Sequence, residues 1–239
     1  MLSAQTPESS FATTSEIVIE VDSAVYISGS LEHTDYTKLV IIIAGSGPTD
    51  RDCNNAMGLK TDAFKMMANL LSENGTSSYR FDKRSVGKST TVEESSMTLP
   101  IFTEDVIKIV EHFEDKYDQI ILAGHSEGAL IGSMACQSAN VDAFLCISGT
   151  SISMDRIILD QLEKYPKLVS LAETHIKEIK EDQPLSEVNP FLQSLFRPSL
   201  VPFLKSCFEI DPIEQIRKVK VKTLIVNGTC DIQVPESHA

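Results

Sequence analysis

The sequence predicts an α/β fold: a mostly parallel central sheet with helices on both faces. Three observations carry this. Short apolar runs read as strands: 39–44, continuous enough to be buried on both faces, then QIILA (119–123), also buried, FLCIS (144–148) and TLIVN (223–227). Stripes of apolar residues at helical spacing fall between them. Strand and helix then alternate, the pattern that produces a parallel sheet.

Element by element, residues 1–15 are polar and are expected to be disordered. EIVIEVDSAVYISGSLEH (16–33) alternates apolar and polar residues, which predicts an antiparallel hairpin at a sheet edge. The run at 39–44 is the first buried strand. Ala63, Phe64, Met66, Met67, Leu70 and Leu71 form a helical stripe ended by Asn74-Gly75, where Gly75 suits the left-handed position past a helix. SSYRF (77–81) reads as a short strand, and Val106, Ile109, Val110 and Phe113 as the next helix. QIILA leads directly into a helix beginning SEGALIGSMACQSA, and FLCIS follows. Over 151–206 the rhythm changes: no strong strand occurs, and helical stretches carrying Ile157, Ile158, Leu162, Leu168, Leu171, Ile176 and Ile179 are broken by Pro184, Pro190, Pro198 and Pro202. That segment is expected to be a helical cap insertion over the sheet edge, between core segments 16–150 and 207–239. TLIVN is the last clear strand.

The 239 residues, 42% hydrophobic, suffice for one large domain with a full core. A net charge of −13 argues against a nucleic-acid partner, which would call for a basic field. Cys53, Cys136, Cys146, Cys207 and Cys230 are odd in number and lack C-x-x-C spacing, so buried free thiols in a reducing compartment are expected. The N-terminus has neither the basic nor the apolar region of a secretory signal, and no stretch approaches the roughly 20 apolar residues of a membrane span. The expected compartment is the cytoplasm, with no membrane partner; the sequence leaves the oligomeric state open. No His/Cys/Asp cluster has ligand spacing, so neither metal nor cofactor is expected.

Four stretches carry chemistry. In LAGHSEGAL (122–130), Gly124, Ser126 and Gly128 are spaced G-x-S-x-G. Alone, that pattern occurs by chance in about one chain in ten of this length. Its position after a buried strand and at the start of a helix is the setting a nucleophile elbow requires. Gly124 and Gly128 would be small because side chains there would collide across the sharp turn. A simpler reading is a strand-to-helix turn that uses Gly and Ser for bending and capping. In AGSGPTDRD (44–52), which follows the first buried strand, glycines on either side of Ser46 would let the backbone come close to a substrate. A phosphate-binding nest of the G-x-G-x-x-G type fails because Asp50 stands at the third glycine; a plain polar turn is the alternative. In YRFDKRSVGKST (79–90), a P-loop fails because Asp82 occupies its first glycine position, leaving a loop tied by Asp82 and Arg84. In LIVNGTCDIQVP (224–235), Asp231 follows a strand end, where acids face a ligand crevice, unless it is a solvated turn residue.

With these four motifs in order, the chain from about 16 to 238 resembles an α/β-hydrolase of the bacterial esterase and serine-aminopeptidase-like group. That group has a G-S-G-P-T-D-R-D loop, an R-x-D-x-R-G-x-G-x-S loop, a G-H-S-x-G elbow and a G-x-x-D-x-Q-V-P acid motif. The resemblance implies an acyl-enzyme hydrolase of a carboxylic ester, with Ser126 as nucleophile, Asp231 as the triad acid, Ser46 and Glu127 amides as the oxyanion hole and a small-molecule acyl substrate. Amide or peptide substrates remain open. One departure is Ser85, where the group usually has glycine.

The resemblance also implies a histidine some tens of residues past the acid, after one more helix and strand. The histidines here are His33, His112, His125, His175 and His238, and only His238 follows Asp231. It stands where that helix would begin and is not expected to be the base. The resemblance therefore implies that the last strand, the last helix and the base lie past Ala239. It leaves a second reading open, in which a truncated, catalytically impaired hydrolase-like chain acts only as a binding module or is a non-functional fragment; a base supplied by another chain is a third.

Overall fold

The computed structural model describes residues 13–238. Seven strands, β1 (Thr13–Asp22), β2 (Val25–His33), β3 (Lys38–Ile43), β4 (Ser77–Phe81), β5 (Gln119–His125), β6 (Ala143–Ile147) and β7 (Lys222–Val226), form one sheet in the order β1-β2-β4-β3-β5-β6-β7. β1 and β2 are an antiparallel hairpin at one edge, β2 joins β4 antiparallel, and every pairing from β4 to β7 is parallel. The expectation of disorder over 1–15 falls mostly outside the described residues. At Thr13–Ser15 it is corrected: these residues belong to β1, paired with Leu31–His33. The ladder and a hydrogen bond from Thr14 Oγ1 to Glu32 Oε2 (2.6 Å) hold a segment that apolar alternation does not mark.

Helices α1 (Ala63–Glu73), α2 (Leu99–Phe113) and α3 (Glu127–Ala135) connect the strands, and α4 (Met154–Leu162), α5 (Pro166–Lys180), α6 (Gln193–Phe196), α7 (Val201–Phe208) and α8 (Pro212–Lys218) lie between β6 and β7. The period-2 pleat divides the buried side chains between two faces. Leu39, Ile41, Ile43, Ile120, Leu122 and Phe144 meet α2 and α3 on one; Val40, Ile42, Ala44 and Ala123 meet Phe64 of α1 on the other. α2 begins at a Thr98 cap with Pro100 in its first turn, and α1 ends at Asn74 with Gly75 at φ 71°.

The apolar side chains of the segment between β6 and β7 go largely inward. Ile158, Ala172, Ile176, Ile179, Leu192, Phe196 and Leu204 join the same core as the sheet. Cys136, Cys146 and Cys207 are buried free thiols, and burial pushes the Cys136 thiol up to about 12. No described helix is long and apolar enough to cross a membrane.

Candidate active site

Parallel strands end on one side of a sheet, so the loops after β3, β5, β6 and β7 gather at a single edge. All four motif stretches touch this edge. Ser126 links the end of β5 to the start of α3 with φ 54° and ψ −120°, a conformation that L-residues adopt only when the surroundings impose it. Those surroundings are specific. The Ser126 N–H donates to the Ile147 carbonyl at the end of β6 (2.9 Å), and the Ser126 carbonyl accepts from Ala129 N–H (2.9 Å).

Two glycines make the turn possible. A Cβ on Gly124 would lie 2.1 Å from the Gly128 carbonyl oxygen, and one on Gly128 would lie 2.3 Å from that of Ile43. α3 is thereby pressed directly against the end of β3. The loop that leaves β3 carries Ser46, so the close approach brings the Ser46 and Glu127 amides to the same edge. Glu127 is the first residue of α3, and its amide is one of those a helix cannot pair internally. Neither amide donates to a group among the described residues.

The loop after β3 is held by charge. The Asp82 carboxylate accepts from the Arg51 backbone N–H (2.8 Å), from Arg51 Nε (3.1 Å) and Nη2 (2.7 Å), and from Lys88 N–H (3.1 Å). Arg51 also reaches the hydroxyls of Ser28 and Ser30 in β2. Arg84 makes a bidentate pair with Asp105 of α2 at 2.7 and 2.6 Å; burial still raises the Asp105 carboxyl above the usual range. Ser85 has φ 61°, the left-handed region that favours glycine, and its hydroxyl exchanges hydrogen bonds with the backbone of Val92.

One residue of the loop after β4 carried no signal in the sequence. Lys83 is buried, and its ammonium donates to the Gly45 carbonyl (2.6 Å) and to Glu127 Oε1 (3.3 Å). Its neighbours Asp82 and Arg84 stood out through their motif, whereas a lysine on a polar loop reads as a solvated cation.

Asp231 lies in the loop after β7. One of its carboxylate oxygens accepts from the Gln233 and Val234 amides, both at 2.9 Å. The Val234 amide is the largest influence holding this carboxylate below its usual range; the Gln233 amide, the Ser148 hydroxyl and His125 act in the same direction. His125 ends β5 with its ring against Phe64, and burial keeps its pKa below the ordinary imidazole value against the pull of Asp231. The remaining histidines lie elsewhere. His33 meets Tyr117, His112 meets Lys116, His175 is buried against Glu178 and Phe196, and Nδ1 of His238 is 4.0 Å from Asp160. Among the described residues no imidazole hydrogen-bonds to Ser126 or Asp231, and no three His, Cys, Asp or Glu side chains are grouped to hold a metal ion.

The architecture can be placed among solved structures. Est1E from Butyrivibrio proteoclasticus, solved with ferulic acid bound, superposes with a TM-score of 0.65 at 18% identity, over 92% of this chain and 82% of that one. The chain has the α/β-hydrolase fold. An esterase from Pyrococcus furiosus is similar at a TM-score of 0.62 and 17% identity, over 99% of this chain and 77% of the other. A bromoperoxidase from Bacillus anthracis is similar at 0.60 and 16%, over 92% and 84%. No family model matches the sequence, and no curated protein matches it.

Proposed function

We propose that this α/β-hydrolase-fold protein is a serine hydrolase that cleaves a small carboxylic ester through an acyl-enzyme on Ser126. The observation that carries the reading is the strained backbone of Ser126 at a strand-to-helix turn, with the unpaired Glu127 amide directly after it. Strain of this kind, about 1–3 kcal/mol, persists where the fold over-determines it, and it is concentrated at functional sites. Ser126 Oγ would attack the acyl carbon, and the carbonyl oxygen would take its charge onto the Ser46 and Glu127 amides. The serine proton would pass to an imidazole oriented by Asp231, a base that none of the described histidines supplies by hydrogen bond; the surrounding donors keep the Asp231 carboxylate ionised. The ester C–O bond would break, the alkoxide leaving as the alcohol with the serine proton, and water would then hydrolyse the acyl-enzyme to the carboxylic acid and restore the Ser126 hydroxyl. The esterase among the structural neighbours favours ester chemistry, although the bromoperoxidase shows that the fold admits other reactions. The apolar side chains of 151–206 serve mostly in the core, so they say little about substrate.

A second reading is favoured by the absence of an imidazole bonded to Ser126 or Asp231 among the described residues: a hydrolase-like binding module. A fluorophosphonate probe separates the two. Covalent labelling that disappears in Ser126→Ala supports the hydrolase, and an unlabelled protein with a cooperative melt supports the module.

A further inference from the structure

We propose that Lys83 is the positioning residue of the oxyanion hole, its single ammonium fixing both walls of the hole at once. This rests on the serine-hydrolase reading of the same site. The two walls come from segments far apart in sequence: Ser46 follows β3, and Glu127 begins α3. Lys83 touches both. Its Nζ donates to the carbonyl of Gly45 at 2.6 Å and to the side-chain carboxylate of Glu127 at 3.3 Å, and the two charged side chains are only 5% and 2% exposed.

The geometry of the peptide unit makes the first contact consequential. The Gly45 carbonyl and the Ser46 N–H belong to one planar peptide, and in a trans peptide they point in opposite directions. Holding the Gly45 oxygen on Lys83 therefore aims the Ser46 N–H away from the buried ammonium. An ammonium on that oxygen also polarises the peptide and makes its N–H a stronger donor to a developing oxyanion. The second contact grips the residue whose amide is the other donor. The Phe102 ring lies 5.4 Å from the ammonium and shields it from water, so the pair acts in a low-dielectric pocket. Glycine at 45 fits the same arrangement, since a Cβ there would stand 3.2 Å from both Ser126 Cβ and His125 Nδ1.

The test uses Lys83→Met, which keeps the stem and removes the donor, and the double variant Lys83→Met/Glu127→Gln, which also removes the orphaned carboxylate. The readouts are the rate of Ser126 phosphonylation by a fluorophosphonate, kcat and KM on a short-chain aryl ester, and the melting curve. Loss of one oxyanion donor slows such enzymes by about 100- to 1,000-fold. Slowing on that scale in both variants, with KM within about threefold of wild type and the cooperative melt retained in the double variant, is expected. Labelling of both variants at the wild-type rate overturns the positioning role and leaves the hydrolase reading standing. Recovery in the double variant would reduce Lys83 to a counter-ion for Glu127 and overturns it too, as does a double variant with no cooperative melt, which would assign the pair to folding. A wild-type protein that is never labelled sinks the hydrolase reading and, with it, the role of Lys83.

Discussion

Replacing Gly128 by alanine tests how tightly the elbow is built into the sheet. The added Cβ would lie 2.3 Å from the Ile43 carbonyl oxygen, 2.7 Å from that of Ala44 and 2.9 Å from the Ile43 carbonyl carbon. Ordinary contact begins about 1 Å farther out, and all three obstacles are backbone, so no side chain can swing aside. Relief requires sliding α3 away from β3, which opens packing around Ala129 and Ile131. Overpacking of this kind costs roughly 3 kcal/mol, while alanine at a helical glycine returns at most about 1. The net loss of about 2 kcal/mol lowers the melting temperature by about 4–8 °C in a domain of this size. Gly75→Ala is the control. Its Cβ would meet nothing within 4 Å, leaving only the strain of φ 71°, about 1 kcal/mol. Thermal denaturation of both variants decides the matter. A Gly128→Ala protein that melts no lower than Gly75→Ala would refute the claim that α3 and β3 are in backbone contact here. Because the same slide moves the Glu127 amide away from Ser46, Gly128→Ala should also slow phosphonylation of Ser126.

Two more predictions concern the same edge of the sheet. Ser126→Gly relieves the φ 54° strain and, after the entropy cost of glycine, should stabilise the fold by about 1 kcal/mol, raising the melting temperature by about 2–4 °C while abolishing phosphonylation; a lower melting temperature would show that the turn is unstrained. His125 makes stability pH-dependent. Burial lowers its pKa in the folded state, so the unfolded chain binds the proton first, and its contribution is complete above the unfolded value near 6.5 and lost as pH falls from there toward the folded value. Urea midpoints at pH 8 and 5.5 should therefore differ less in His125→Gln than in wild type, and an equal or larger difference would contradict this origin.

Much of the fold was legible because its signals are local. β3, β5 and β6 lie in the middle of the sheet with both faces covered, so each appears as an unbroken apolar run. The start of β1 did not, because Thr13–Ser15 are held by a ladder on an exposed edge and a side-chain bond to Glu32, neither of which demands apolar residues. The elbow was legible for a related reason: a turn where an added Cβ would lie 2.1–2.3 Å from neighbouring backbone, as at Gly124 and Gly128, leaves glycine as its record. The polar residue that joins it to the loop after β3 left no such record. Lys83 is a lysine on a loop of mixed charge, and its value depends on Gly45 and Glu127, 38 and 44 residues away. Burial is what converts a lysine from a solvated cation into a fixed donor, and burial is set by the core of α2 and α3 closing over it. A sequence can thus record in its glycines where a strand turns sharply into a helix while staying silent about the buried lysine that joins the two sides of that turn.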